Sequence, residues 1–275
     1  QERRPDRIYV GNDGSNDPET LTALRLWESN DQVKVLHFEN GGLPTARNRG
    51  ADAAIKDGAD AIMFLDADDA VEPSYLRKAV EVLNRHPEAG AVTAWTHTVG
   101  MMHTYWCPPP SQFPFLLAEC MSTPPAVIRA GVYVQAGGFS PLLRYTYEDW
   151  DFWISICELG YAILMIPEPL IRYLMRRGSM SRGFNAVSRE HGRRTIMARH
   201  PQMFERFGRE ALLLVEGFWY SAQGAGESET EIRRELQKCQ DFITYLGSLP
   251  RRPFEAIRFL CSKVAGRVQK GIVGK

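Results

Sequence analysis

Ala61-Ile62-Met63-Phe64-Leu65-Asp66-Ala67-Asp68-Asp69 is the stretch on which the fold reading turns. A continuous apolar run between acidic residues is the pattern of a strand buried on both faces. The carboxylates of Asp66, Asp68 and Asp69 then stand at its carboxyl end. Working outward, Arg7-Ile8-Tyr9-Val10 predicts a short strand stopped by the turn formers Gly11-Asn12-Asp13-Gly14-Ser15. Asp17-Pro18-Glu19 supplies an N-cap, a proline in the first turn and an acid, and Leu21, Leu24 and Trp27 follow at helical spacing. Val33 to Phe38 predicts a second strand, Gly41-Gly42 a turn, and Pro44 to about Lys56 a helix. A helix around Pro73 to Asn84 and a strand near Ala91 to Trp95 precede the loop Cys107-Pro108-Pro109-Pro110, too rich in proline for a central strand and expected to border the site. Such alternation implies a parallel sheet flanked by helices, in which ligands bind beyond the carboxyl ends of the strands.

Composition excludes several classes. The chain has 275 residues, 44% hydrophobic and 24% charged, as expected of a soluble globular protein. No apolar run reaches the roughly 18 residues that span a bilayer. Gln1-Glu2-Arg3-Arg4-Pro5 carries no secretory signal, and the five cysteines form no Cys-x-x-Cys pair, so a reducing cytoplasm is the expected location. Basic and acidic residues balance at 33 each, which removes the global field that would attract nucleic acid. The tail departs from this balance: between Arg251 and Lys275 the basic residues face Glu255 alone. Phe254, Ile257, Leu260, Val264 and Val268 make an apolar stripe there, which suits either peripheral contact with anionic lipid at the inner membrane face or packing against the domain.

Each acidic cluster has a plain structural reading and a chemical one. Asp66-Ala67-Asp68 can offer hard oxygen ligands to Mg²⁺ or Mn²⁺, or simply face water, while Asp69 could cap the next helix. Asn12-Asp13-Gly14-Ser15 reads as a turn. Glu148-Asp149-Trp150-Asp151 crowds three carboxylates around an indole ahead of the apolar Phe152-Trp153-Ile154. That placement favours a helix dipole, and it could also raise one carboxylate toward the range of a general base.

Six motifs in order carry a specific resemblance. Asn-Asp-Gly-Ser at 12–15, Gly-Gly-Leu-Pro-Thr-Ala-Arg-Asn-Arg-Gly at 41–50, Phe-Leu-Asp-Ala-Asp-Asp at 64–69, Gly-Gly-Phe at 137–139, Glu-Asp-Trp-Asp-Phe-Trp at 148–153 and Ile-Pro-Glu-Pro-Leu-Ile-Arg-Tyr at 166–173 resemble family 2 glycosyltransferases with the GT-A fold. The resemblance covers roughly residues 7 to 182. It implies a Rossmann-like mixed, mostly parallel sheet flanked by helices over residues 1–203, followed by a helical extension over 204–275. It further implies an inverting transfer from a nucleotide-diphosphate sugar, commonly a UDP-sugar, to a hydroxyl of a glycan, a lipid-linked sugar or another acceptor, with Mn²⁺ or Mg²⁺ as cofactor. Carried residue by residue, it makes Asp13, Arg47 and Asp66 donor contacts and Asp68 the metal ligand. Asp149 becomes the general base, and Gly138, Glu148 and Trp150 lie on the acceptor side.

Two departures qualify the resemblance. The family's first strand and helix would precede Arg7, so the domain is expected to be incomplete at its amino end, with neighbouring strands left unpaired. Where many relatives have a metal-binding histidine, this chain has Arg176, which cannot ligate a cation but can pair with a diphosphate through its planar fork. A non-catalytic nucleotide-sugar or glycan binding module of the same fold is the alternative reading.

Overall fold

The computed structural model describes residues 1–108, 111–120, 122, 125–176 and 185–223, with side chains to residue 214. Residues 1–218 form one compact unit and 219–275 a second, of which little is described. The expected glycine break at 224–226, the helix near 229–246 and the basic tail at 251–275 lie outside the described residues.

Strand β1 (Ile8–Asp13) leads through α1 (Pro18–Glu28) to β2 (Val33–Phe38), and the two strands pair in parallel. The Asp17 carboxylate accepts the Thr20 amide at 2.8 Å, closing the start of α1 as its sequence predicts. Helix α2 (Leu43–Lys56) then returns the chain to β3 (Ala61–Met63). After β4 (Ala70–Val71) and α3 (Tyr75–Arg85) comes the long β5 (Ala89–Gly100), which turns back into β6 (Thr104–Trp106). The chain continues through α4 (Phe115–Ala118), β7 (Val127–Arg129), α5 (Ala130–Ala136), a 3-10 turn at Pro141–Leu143, α6 (Glu148–Glu158) and β8 (Ala162–Met175). Two further helices, α7 (Ala186–Arg199) and α8 (Pro201–Gln223), follow; α8 runs across residue 203, and Met203, Phe204 and Phe207 pack on the main core.

The larger sheet has the order β3-β7-β5-β8-β4, with β6 added to β5. Its longest pairing, β5 with β8, is parallel, and β3, β4, β6 and β7 join antiparallel. Pro167 and Pro169 lie inside β8, where a missing N–H would normally break a ladder. The register accommodates them by slipping: Ala94 pairs Ile166, but Trp95 pairs Pro169. Pairing with β4 begins only beyond them, at Ile171.

The run at 61–65 corrects one expectation. Only its first three residues are strand, and Leu65 is 43% exposed. Strand β3 stands at the end of the sheet, with β7 as its partner, and β1 and β2 form a separate pair. A strand without a second neighbour among the described residues cannot be covered like a central one, so the apolar run reads more buried than it is.

Adjacent residues of β5 and β7 feed opposite cores, because side chains alternate along a strand. Val92 and Val127 join Tyr75, Leu76, Ala79 and Leu83 of α3 on one face. Ala91 and Ile128 join α2, α5 and α6 on the other, around Tyr133, Phe139, Phe152 and Trp153. Phe139 meets Phe64 edge-on at 4.9 Å and Phe152 at 4.6 Å between ring centroids, so aromatic rings floor the end of the sheet where the carboxylates gather. Removing such a ring leaves a cavity. Trp153→Ala, at a fully buried position, should lower the free energy of unfolding by about 3–5 kcal/mol in urea titrations. Trp27→Ala, at a half-exposed one, should stay within about 0.5 kcal/mol.

Candidate active site

Arg47 is the group through which separate stretches of chain meet. It sits on α2 with its side chain 6% exposed, donating through one terminal nitrogen to Asp66 Oδ1 at 2.7 Å and through the other to Glu148 Oε1 at 2.9 Å. Its guanidinium lies over the Phe139 ring, 5.4 Å from the centroid. The planar fork of arginine suits two carboxylates at once, which a point charge would not. In this way the segment after β3 and the first turn of α6 are joined, although Asp66 and Glu148 stand 82 positions apart in the chain.

Helix α2 is itself fixed at its start by Asp13. Both oxygens of the Asp13 carboxylate accept backbone amides, from Gly41 and from Gly42, each at 2.8 Å. Gly42 has a φ of 83°, and a Cβ there would meet the Arg144 side chain at 2.7 Å, so only glycine suits the turn. Arg144 reaches back to Asn40 Oδ1 at 2.7 Å. The cluster read as a turn at 12–15 thus anchors the helix that carries Arg47.

Beyond β3 the carboxylates diverge in task. Asp68 Oδ2 pairs with Arg176 at 2.8 Å. Asp69 does not cap the next helix: its carboxylate accepts the Leu174 amide at 3.0 Å and ties this segment to β8, while Ser74 occupies the cap position of α3. Burial, aided by the charges of Asp66 and Asp68, pushes the Asp69 carboxyl up to about 6. Arg176 is exposed, and the chain immediately after it lies outside the described residues.

Helix α6 enters from Tyr147, which holds a left-handed φ of 61° and brings Glu148 and Asp149 straight into the first turn. Burial pushes the Asp149 carboxyl upward, opposed first by Arg47 and then by the Trp150 amide, which donates to Asp149 Oδ1 at 2.8 Å. Burial and then the Asp149 charge push Glu148 upward, opposed by Arg47. Asp149 has no ion-pair partner among the described residues, whereas Glu148 does. Trp150 points inward, buried, and its indole donates to the Leu116 carbonyl, so the side chain braces α6 against α4 rather than facing outward.

Asn48 escaped the sequence reading. Its amide nitrogen donates to the Phe139 carbonyl at 2.8 Å, and its oxygen accepts from the Phe139 amide at 2.9 Å and the Tyr133 hydroxyl at 2.7 Å. A Cβ on Gly138 would meet those same Tyr133 and Asn48 atoms, so the close approach at that glycine is to the protein's own side chains. Position 48 within the motif at 41–50 was the available signal. Among the described residues no three metal-ligating side chains cluster, and no helix is long and apolar enough to cross a membrane.

The family description Glycosyl transferase family 2 matches residues 1–150, more than half of the chain. The chain belongs to this family. EpsH of Bacillus subtilis strain 168, whose name assigns it to the glycosyltransferases, is 40% identical over 68 residues, 25% of this chain and 19% of that protein. YibD of Escherichia coli K12, an uncharacterized glycosyltransferase by name, is 39% identical over 67 residues, again 19% of its length. Among solved structures, S. aureus TarS residues 1–349 in complex with UDP-GlcNAc superimposes with a TM-score of 0.50 at 18% identity, covering 65% of this chain and 52% of that one. That likeness places the chain in the GT-A fold with its mixed sheet and flanking helices. The matches span about a fifth of the curated relatives and about half of the TarS chain.

Removing a buried cation strands the carboxylates it holds. Arg47→Met should destabilise the fold by about 3–5 kcal/mol in denaturant titration, and Arg47→Lys, which keeps the charge but not the fork, should recover only part of that loss.

Proposed function

We propose that this chain is the catalytic domain of an inverting glycosyltransferase that moves a sugar from a UDP-linked donor to an acceptor hydroxyl. The observation that carries the reading is the Arg47 fork, which holds Asp66 and Glu148 to a single guanidinium and so brings Asp149 beside the carboxylates after β3. Family membership and a fold shared with a protein solved with UDP-GlcNAc support the donor class.

In this reading Asp149 is the general base. It lacks a paired cation among the described residues, and burial raises its proton affinity, so it can take the proton of an acceptor hydroxyl while Glu148 remains held by Arg47. The hydroxyl oxygen bonds to the anomeric carbon on the face opposite the diphosphate, whose bond to that carbon breaks, and configuration inverts. Asp13 and Asp66 stand on the donor side, where Asp13 shapes the turn that begins α2. Gly138, Glu148 and Trp150 frame the acceptor side, Glu148 through its ion pair and Trp150 by bracing α6 against α4 at Leu116.

The donor set fits a hard divalent cation. Such ions take one or two carboxylates and complete their shell with water and substrate phosphates, so a cluster of three protein ligands is not required. Asp68 would hold Mn²⁺ or Mg²⁺, which would neutralise charge on the departing diphosphate. Arg176, now paired with Asp68, has a guanidinium that can turn to phosphate oxygens and share that neutralisation.

A panel of UDP-sugars, assayed for UDP release with and without glycan acceptors, tests the reading. Asp149→Asn should lower turnover by at least about 10²-fold while calorimetry finds UDP affinity unchanged. In the active protein the rate should rise with pH along an acid limb whose midpoint lies above the ordinary carboxylate range, because the base works deprotonated and burial raises its pKa. Full activity in Asp149→Asn contradicts the assignment, and UDP binding without turnover of any donor favours a binding module.

A further inference from the structure

The eleven residues of α6 carry four carboxylates, Glu148, Asp149 and Asp151 near its start and Glu158 at its end. Arg47 answers Glu148, but Asp151 lies deeper than any of them, fully buried, and belongs to a different network. Its Oδ1 accepts from Arg199 Nε at 2.8 Å and pairs with His200 Nε2 at 3.1 Å. The other ring nitrogen of His200, Nδ1, lies 2.6 Å from Glu158 Oε2. An imidazole whose two nitrogens both face carboxylates is held best as the imidazolium, with a proton for each. Burial works to lower the His200 pKa, and Asp151 followed by Glu158 outweigh it, leaving the ring above its ordinary value.

The positions of these groups along the helix give the network a purpose. At about 100° per residue, Asp151 and Glu158 fall on one face two turns apart, and Asp149 points roughly 160° away from Asp151. Arg199 and His200 come from the junction of α7 and α8, and the His200 carbonyl accepts the Met203 and Phe204 amides that start α8. A grip at two points on the back of a short helix fixes both its rotation and its axial position. Arg47 holds the first residue and the Trp150 indole ties the first turn to Leu116, and the contacts of Asp151 and Glu158 add the hold on the rear face that resists a roll of the helix.

We propose that Asp151 and His200, with Arg199, are positioning residues that hold α6 from behind and thereby aim the Asp149 carboxylate, making the α7–α8 arm part of the active-site scaffold. The inference rests on the reading of Asp149 as the base, and it deepens that reading by assigning its orientation to residues some 50 positions downstream (His200 and Asp151 are 49 apart). A roll of about 10–20° would move the Asp149 carboxylate by 1 Å or more, and misplacement on that scale can cost about 10²-fold in rate.

His200→Gln, which keeps one polar contact, and Arg199→Ala, at the more exposed end of the network, provide two variants of graded severity. UDP-sugar turnover, UDP affinity by calorimetry and hydrogen exchange at the Asp151 and Phe152 amides would be measured on both and on the parent protein. The expected result is a fall in kcat of about 10²-fold for His200→Gln and about tenfold for Arg199→Ala, unchanged UDP affinity, and faster exchange in the first turns of α6. Arg199→Lys should restore most of the kcat lost in Arg199→Ala. Parent-like kcat in an active protein overturns the inference, as does unchanged exchange in both variants. An inactive parent with exchange that still accelerates in the variants would count against the proposed transfer while leaving the grip on α6 in place.

Discussion

A single guanidinium, placed where water hardly reaches, holds the site together. Arg47 divides its fork between Asp66, in the segment after β3, and Glu148, at the start of α6. Burying an arginine is costly unless its charge is matched, and here the match is supplied by the groups that need to be adjacent. Everything else near the site conditions that pairing: Asp13 fixes the start of the helix on which Arg47 stands, the Phe139 ring lies under the guanidinium, and Asn48 bonds both the amide and the carbonyl of Phe139.

Charge distribution along α6 follows from the same constraint. Three carboxylates within four residues would repel one another in a buried turn, and a helix N-terminus offsets only part of that. The fold distributes partners unevenly: Glu148 receives Arg47, Asp151 receives Arg199 and His200, and Asp149 receives a backbone amide. Asp149 has no ion-pair partner among the described residues, and burial raises its proton affinity, which is a property a base needs.

Much of this was legible in the sequence, and the failures have physical causes. Strand and helix alternation, the Asp17 cap and the glycine turn before α2 are local effects and read directly from neighbouring residues. The motifs named the carboxylates, but not their partners, because the partner of Glu148 lies 101 residues away and that of Asp151 lies 49 away. The run at 61–65 misled because apolar composition reports what could be buried, and β3 has a strand on only one side among the described residues. Pro167 and Pro169 remove two donors from β8, and only a slip in register, invisible in composition, lets the strand keep its place. Asp69 resembled a helix cap because a proline follows nearby, yet its acceptor was claimed by an amide 105 residues downstream.

The most direct test of the account is a double-mutant cycle in unfolding free energy on Arg47→Met, Glu148→Gln and the two combined. If one buried guanidinium binds the two halves of the site, the cycle should return a coupling of roughly 1–3 kcal/mol between positions 47 and 148. Losses that add to within about 0.5 kcal/mol would mean that the two residues do not sustain one another, and the convergence of carboxylates described here would not be what holds the site.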